Sequence, residues 1–326
     1  MSGRGSLWRW SLHRLLLALP VVLGVTALTF ALIHLAPGDP VYMLAGDGGS
    51  PAYYLEMRAK YGLDRSLGEQ FLRYAAAVAR GDFGYSFMFQ VPVLRLLLTH
   101  AGASLLLGIA ALILATAGGI AVGTVAAMSR SRAVTAGIDA AIALTYAAPV
   151  FWTGQVLVWV AAVKLGLLPA AGMTSAREAL TGPAYAADLA SHLILPALTL
   201  ALPFAAVVAG VTRASVREGL RAPYLRALQA RGLSRGRIVW RHVGRLALLP
   251  VSALVGQHAA LILAGGAITE ALFAWPGVGY LVLHASLHRD YPLVTAGFIL
   301  ISSSVVLFNI VADAASAWLD PRISLT

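Results

Sequence analysis

The residue types that support covalent chemistry are present in this chain, but not in the arrangements that chemistry needs. His284 and His288 stand four residues apart, the spacing that puts two imidazoles on one face of a helix, yet there is no HExxH and no evident third ligand beside them. Their alternative role is as surface or interface histidines. The lysines are Lys60 and Lys164, neither preceded by glycine, and no GxxxxGK[ST] loop exists, so the chain lacks a P-loop cradle for ATP phosphates. GxSxG is absent, and the apolar stretches hold no Ser/His pair or carboxylate dyad suited to hydrolysis. With 0 Cys, thiolate metal sites, iron–sulfur clusters and thiol nucleophiles are excluded together. The expectation is a non-enzyme with no catalytic residue, no metal and no cofactor of its own.

What remains is a handful of polar residues inside long apolar runs: Gln155, Gln257, His258, Asn309 and Asp313. A desolvated amide needs partners, so these groups either make interhelical hydrogen bonds or line a polar path through a bundle. Gly119 and Gly123 form a small-xxx-small face of the kind that packs helices closely.

The elements that must position these residues follow from composition. Of 326 residues, 59% are hydrophobic and only 12% charged, about half the charge of an ordinary soluble domain. A mean hydropathy of +0.78 agrees. Six stretches supply the roughly 20 apolar residues that a helix needs to cross a bilayer. They are Leu15 to His34, Ser104 to Met128, Ile138 to Val163, Leu193 to Val211, Leu246 to Ile268 and Leu293 to Val311. The fold class is therefore an all-α polytopic membrane protein with six transmembrane helices. The first stretch follows Arg4, Arg9 and Arg14 as a signal peptide would, but its apolar run is too long and Leu35-Ala36-Pro37-Gly38 is a poor cleavage site, so it is read as a retained span.

The net charge of +10 is sorted by side. Alternate segments between the spans carry 15 of the 24 basic residues and 4 of the 14 acidic ones, leaving +11 on one face and −1 on the other. By the positive-inside rule the +11 face is cytoplasmic, with both termini on it. Basicity then reflects topology and contact with anionic lipid; nothing interleaves aromatics with the charge as a nucleic-acid platform would.

Two segments between spans are more than connections. The outer one, residues 35–103, carries 6 basic and 6 acidic residues and ten Phe and Tyr between Tyr42 and Phe89, too aromatic for a disordered linker. Helices are expected at Glu56 to Tyr61, Leu67 to Arg80 and Val93 to Leu98, with a turn at Gly81-Asp82-Phe83-Gly84. It would cap the bundle or offer a docking surface. The inner one, Arg213 to Arg245, holds nine arginines and reads as a helix pair: Arg213 to Arg231, a left-handed Gly232, then Ser234 as the cap of a second helix. A lipid-surface amphipathic helix is the alternative on physical grounds.

At this point the chain resembles a known family nearly end to end. Ala36-Pro37-Gly38-Asp39-Pro40, Gly62-Leu63-Asp64, Gly81-Asp82-Phe83-Gly84-Tyr85-Ser86, Phe273-Ala274-Trp275-Pro276-Gly277-Val278-Gly279, Arg289-Asp290-Tyr291-Pro292 and Asp320-Pro321-Arg322 carry the likeness. So does Tyr224-Leu225-Arg226-Ala227-Leu228-Gln229-Ala230-Arg231-Gly232-Leu233-Ser234, followed by Leu249-Pro250. These are similar to landmarks of the B-type inner-membrane permeases in the dipeptide, oligopeptide and nickel branch of bacterial binding-protein-dependent ABC importers. In that family the last stretch is the coupling helix that seats in a groove of the cytoplasmic ATPase. Here Arg226-Ala227-Leu228 replaces the general Glu-Ala-Ala, so of that motif the alanine and Gly232 match.

The resemblance implies a type I ABC importer permease fold in the bacterial inner membrane. Residues 1–14 would be a cytoplasmic segment, 15–34 the first span, 35–103 extracytoplasmic, 104–319 a five-helix core with its elbow at 213–245, and 320–326 a cytoplasmic tail. Its partners would be a second homologous permease, two cytoplasmic ATPase subunits that bind ATP and Mg, an extracytoplasmic substrate-binding protein and the bilayer, with no nucleic acid. ATPase coupling would fall to Tyr224, Arg226, Ala227, Gly232, Leu233 and Ser234. The substrate path would include Gln257 and Glu270, which resemble polar positions of the family's fifth span, and Gln155 on the physical argument above. Glu270 would meet a peptide's ammonium group or a cation, or else simply be solvated. Cargo would be dipeptides or oligopeptides, with nickel or a metal chelate as the alternative within this architecture. A non-transporting membrane scaffold or sensor is the competitor from another class.

Overall fold

The computed structural model describes residues 3–35, 50–61, 63–175, 180–223, 225, 230, 232–238, 243–264 and 266–319. Every named element among them is helical. In chain order these are α1 (Gly3–Leu35), α2 (Pro51–Tyr61), α3 (Leu67–Ala79), α4 (Val93–Met128), α5 (Arg132–Ala147), and α6 (Val150–Leu157), which continues as a π-helical stretch Val158–Lys164. After them come α7 (Gly182–Gly219), a helical turn Arg235–Arg237, α8 (Gly244–Ala264), α9 (Ala267–Leu272), α10 (Val278–Leu287) and α11 (Tyr291–Leu319). The landmarks at 36–40 and 320–322, Gly62, and the coupling candidates Tyr224, Arg226 and Ala227 lie outside the described residues.

The six apolar stretches lie on α1, α4, the α5–α6 pair, α7, α8 with the start of α9, and α11, and not all of these helices meet the length and apolarity of a span. Among the described residues, Val93–Met128, Gly182–Gly219 and Tyr291–Ala314 are each long and apolar enough to cross a bilayer. The expected third span is not one straight rod. Arg132–Ala147 and Val150–Lys164 meet at 112°, and the two qualify only together. Ala148-Pro149 explains the break: both residues are extended, with ψ of 132° and 137°. Proline removes a helical N–H and its ring forces the preceding residue out of the α region.

α4 and α7 form the most extensive helix pair, and Gly119 and Gly123 are the reason. A Cβ on Gly119 would lie 2.6 Å from Val208 Cβ, and one on Gly123 would lie 2.4 Å from the carbonyl oxygen of Ala209. With α8 these helices bury Ala111, Ala115, Phe204, Val208, Val251 and Ile262 as the central core. His258 stacks on Phe204 there, their ring centroids 4.6 Å apart.

α1 packs antiparallel along α11. Arg14 pairs with Asp313 at 3.3 Å, giving that carboxylate the partner its place near the end of an apolar run demanded. Near the other end of α1, Phe30 meets the rings of Phe71 and Tyr74 on α3. Burial pushes the Tyr74 hydroxyl up to about 12.

The described part of the expected outer segment, residues 50–61 and 63–103, is folded, with helices where they were expected. Ser66 caps α3 by accepting from the Glu69 N–H at 3.4 Å. Gly81 and Gly84 take positive φ of 79° and 74° in the expected turn. Residues 84–93 close into a tight loop through the Ser86 N–H to Val91 carbonyl and the Val93 N–H to Gly84 carbonyl bonds, both 3.0 Å. Two of the quoted landmarks meet here. Asp290, fully buried, accepts from the Ser86 hydroxyl and from the Met88 N–H at 3.1 Å, and from the Leu293 N–H at 3.4 Å. A carboxylate at the N-terminus of α11 satisfies orphan helix donors and ties the loop to the bundle at one point.

Candidate functional site: the elbow and the latch

At one end of the bundle α7 runs into the elbow. It ends at Gly219, so Arg213 to Gly219 prolong the fourth span and the expected first elbow helix does not begin at Arg213. The chain then tightens: the N–H groups of Arg221 and Ala222 before Pro223, and of Leu225 after it, bond three residues back, at 3.0, 3.2 and 3.1 Å. Gly232 adopts φ +76°, the left-handed conformation expected of it. Ser234 Oγ accepts from the Arg237 N–H at 3.5 Å, and its carbonyl accepts from the Ile238 N–H at 3.0 Å, so Ser234 caps the turn as read.

The elbow carries its own small core. Val216, Leu225, Ile238 and Val243 are buried together, and Leu220, Leu233 and Ala127 of α4 pack against them. A lipid-surface helix would have no reason to bury residues from both arms and from a span in one cluster. The arginines were legible as a block of charge, while the interleaved apolar residues were legible only one at a time.

At the far end of α4 and α7 is a latch built from the Phe273–Gly279 motif. α8 ends at Ala264 rather than at Ile268, and α9 places Thr269 and Glu270 inside the protein. Trp275 is fully buried and donates through Nε1 to the Ala103 carbonyl at 2.8 Å. Ser104 Oγ donates to Glu270 Oε1 at 2.7 Å and accepts from the Val278 N–H at 2.8 Å, while Glu270 Oε2 accepts from the Tyr280 N–H at 2.9 Å. A Cβ on Gly277 would fall 2.3 Å from the Glu270 carboxyl carbon, so only glycine lets the loop close over this group.

Glu270 is not the solvated carboxylate that was the alternative for it: it is 3% exposed and its oxygens are taken by the latch. Sequence position alone put it at the membrane edge, but α9, which begins after Gly266, holds it inside the protein. Gln155 on α6 and Gln257 on α8 are instead exposed on the chain taken by itself. His284 on α10 and His288, which caps its end, stack with centroids 4.4 Å apart, His288 Nδ1 lying 2.8 Å from the His284 carbonyl oxygen. Among the described residues no group of three or more His, Cys, Asp or Glu is placed to hold a metal ion.

Two pairs were invisible in the sequence. Arg213 on α7 forms an ion pair with Asp139 on α5. One turn further on, Arg217 donates to the Ala126 carbonyl in the last turn of α4 at 3.5 Å. Arginines counted only as topology signals thus make specific contacts.

Comparison with known proteins identifies the family. Residues 7–105 match the N-terminal model of binding-protein-dependent transport system membrane components, and residues 119–325 match the model of the binding-protein-dependent transport system inner membrane component. The chain is 37% identical over 331 residues to the dipeptide transport system permease protein DppB of Escherichia coli, covering 96% of this chain and 97% of that one. It is 37% identical over 326 residues to the di/tripeptide transport system permease protein DppB of Pseudomonas aeruginosa, covering 95% and 97%. Among solved structures, the MetNI methionine ABC transporter in inward facing conformations shares the fold with a TM-score of 0.53 at 14% identity, over 69% of this chain and 96% of that one. The apolar helices, the elbow and these matches have one reading: the chain belongs to the inner-membrane components of binding-protein-dependent transport systems, as a multi-pass ABC permease subunit whose ATPase is a separate chain.

Proposed function

We propose that this permease forms half of the translocation pathway of a peptide importer, opposite a second homologous permease. Two cytoplasmic ATPase subunits, which bind ATP and Mg, drive it through the elbow, and an extracytoplasmic binding protein delivers di- or oligopeptides to the latch end. The elbow end and both termini face the cytoplasm in this reading. The supporting charge asymmetry is the +11 against −1 division, and Arg14 and Asp313 meet at the elbow end. The dipeptide and di/tripeptide permeases that it resembles support the cargo class.

The observation that carries the coupling part is the elbow core. A partner's closure moves a membrane bundle only through a stiff element attached to its spans, and Val216, Leu225, Ile238 and Val243 bind the root of α7 to the root of α8. Displacement of the elbow then rocks the two long helices together, and alternating access follows from rocking one permease against the other. Gln155 and Gln257 line the path: an amide left exposed on an apolar helix demands either a partner helix or water.

The test is reconstitution. The permease pair, its ATPases and its binding protein in proteoliposomes should accumulate a labelled dipeptide only with ATP and only with the binding protein present. Accumulation of nickel or a metal chelate without peptide uptake would replace the cargo. Partner recruitment without any accumulation would favour a scaffold.

A further inference from the structure

The junction where α7 enters the elbow carries more than packing. Arg213 and Arg217 are four residues apart and project from one side of α7. Arg213 pairs with Asp139, on the helix that opens the broken third span, and its side chain is only 18% exposed. Arg217 reaches the Ala126 carbonyl, one of the acceptors that the end of α4 at Met128 leaves without a helical donor. A cation there also meets the negative end of the α4 dipole. Only Ser129, Arg130 and Ser131 separate α4 from α5, so two adjacent arginines hold both sides of one short connection.

Below this point α7 touches α4 through Gly123, with Thr212 and Ala209 against the glycine. That contact resists compression but offers no directional grip. An ion pair and a carbonyl bond do, because each has a preferred distance and angle.

We propose that Arg213, Asp139 and Arg217 form a clamp that makes the elbow's displacement move α4 and α5 together with α7. Arg213 and Asp139 are positioning residues: neither touches cargo or nucleotide, and each acts through the helix that it holds. The proposal rests on the coupling role of the elbow given above and adds the route by which motion enters the second and third spans.

The chain has 0 cysteines, so it can be labelled at a chosen pair of introduced cysteines before assembly with its partners. Labels at Ala136 on α5 and Ala214 on α7, both exposed, report the distance across the clamp in the assembled transporter. Arg213→Gln and Asp139→Asn should each broaden that distribution severalfold. Each should also lower peptide taken up per ATP hydrolysed by about tenfold, with assembly and ATPase activity near wild type. Because Asp139 is 48% exposed, Arg213→Gln leaves a carboxylate that water can reach and should fold; Asp139→Asn keeps a side chain of the same shape whose amide oxygen still accepts from Arg213.

The exchanged pair, Arg213→Glu with Asp139→Arg, should restore both readouts to within about threefold, which ties the effect to the pairing and not to either residue alone. An unchanged distribution and coupling ratio in the single variants would overturn the clamp, as would an exchanged pair no better than either single change. A wild-type assembly without ATP-driven uptake would instead sink the importer reading. The spin-label distances would still decide whether the clamp holds α5 to α7.

Discussion

At the scale of single residues, the latch shows how a carboxylate is kept in a largely apolar protein. Glu270 accepts from a hydroxyl and a backbone N–H, and Ser104 relays between it and the Val278 N–H. Replacing Glu270 by glutamine sets an amide NH2 against the Ser104 hydroxyl, which must turn and give up its acceptor. The expected cost is about 1–2 kcal/mol, seen as a lower melting temperature of the purified assembly. Ser104→Ala should cost a similar amount, and the double variant less than the two together, since both break one network. If Glu270 touched cargo instead, Glu270→Gln would raise the KM for uptake and leave thermal stability unchanged. The sequence exposed the motif but not its purpose, because the partners are 166 and 10 residues away and only folding joins them.

At the scale of elements, the elbow depends on one backbone angle. Gly232 has φ +76° and open space where a Cβ would stand, so substitution is opposed by conformation and not by crowding. Gly232→Val should cost about 1–2 kcal/mol locally and change the angle between the arms. The expected result is normal membrane abundance, continued ATP hydrolysis and uptake reduced by about tenfold. Uptake at wild-type levels would show that the arm angle does not matter. The glycine was legible because few other residues accept that region of φ and ψ, and Ser234 because a cap has few substitutes. The end of α7 at Gly219 was not, because Arg213 to Gly219 suit either a long span or a separate surface helix.

At the scale of the whole molecule, the side on which the elbow lies decides the mechanism. Gly236 is exposed on the second arm, and a cysteine there should react with a membrane-impermeant maleimide in inverted vesicles but not in intact cells. Labelling in intact cells would reverse the topology and remove the ATPase from reach. Chain ends bear on the same point: the Arg14–Asp313 pair joins the early part of α1 to the later part of α11 at the elbow end.

Composition, apolar run length and the sorting of charge, read along the chain alone, settled that this is a helical membrane protein and where most helices lie, because lipid demands long apolar helices whatever their neighbours. Motif spacing was enough to point to the family and to the elbow. The fold decided the rest. The 112° break at Ala148-Pro149, the burial of Glu270, the meeting of Ser86 with Asp290 and the pairing of Arg213 with Asp139 all depend on contacts between distant segments. A polar side chain finds its partner only when helices have packed, and nothing in its local sequence states which helix that will be.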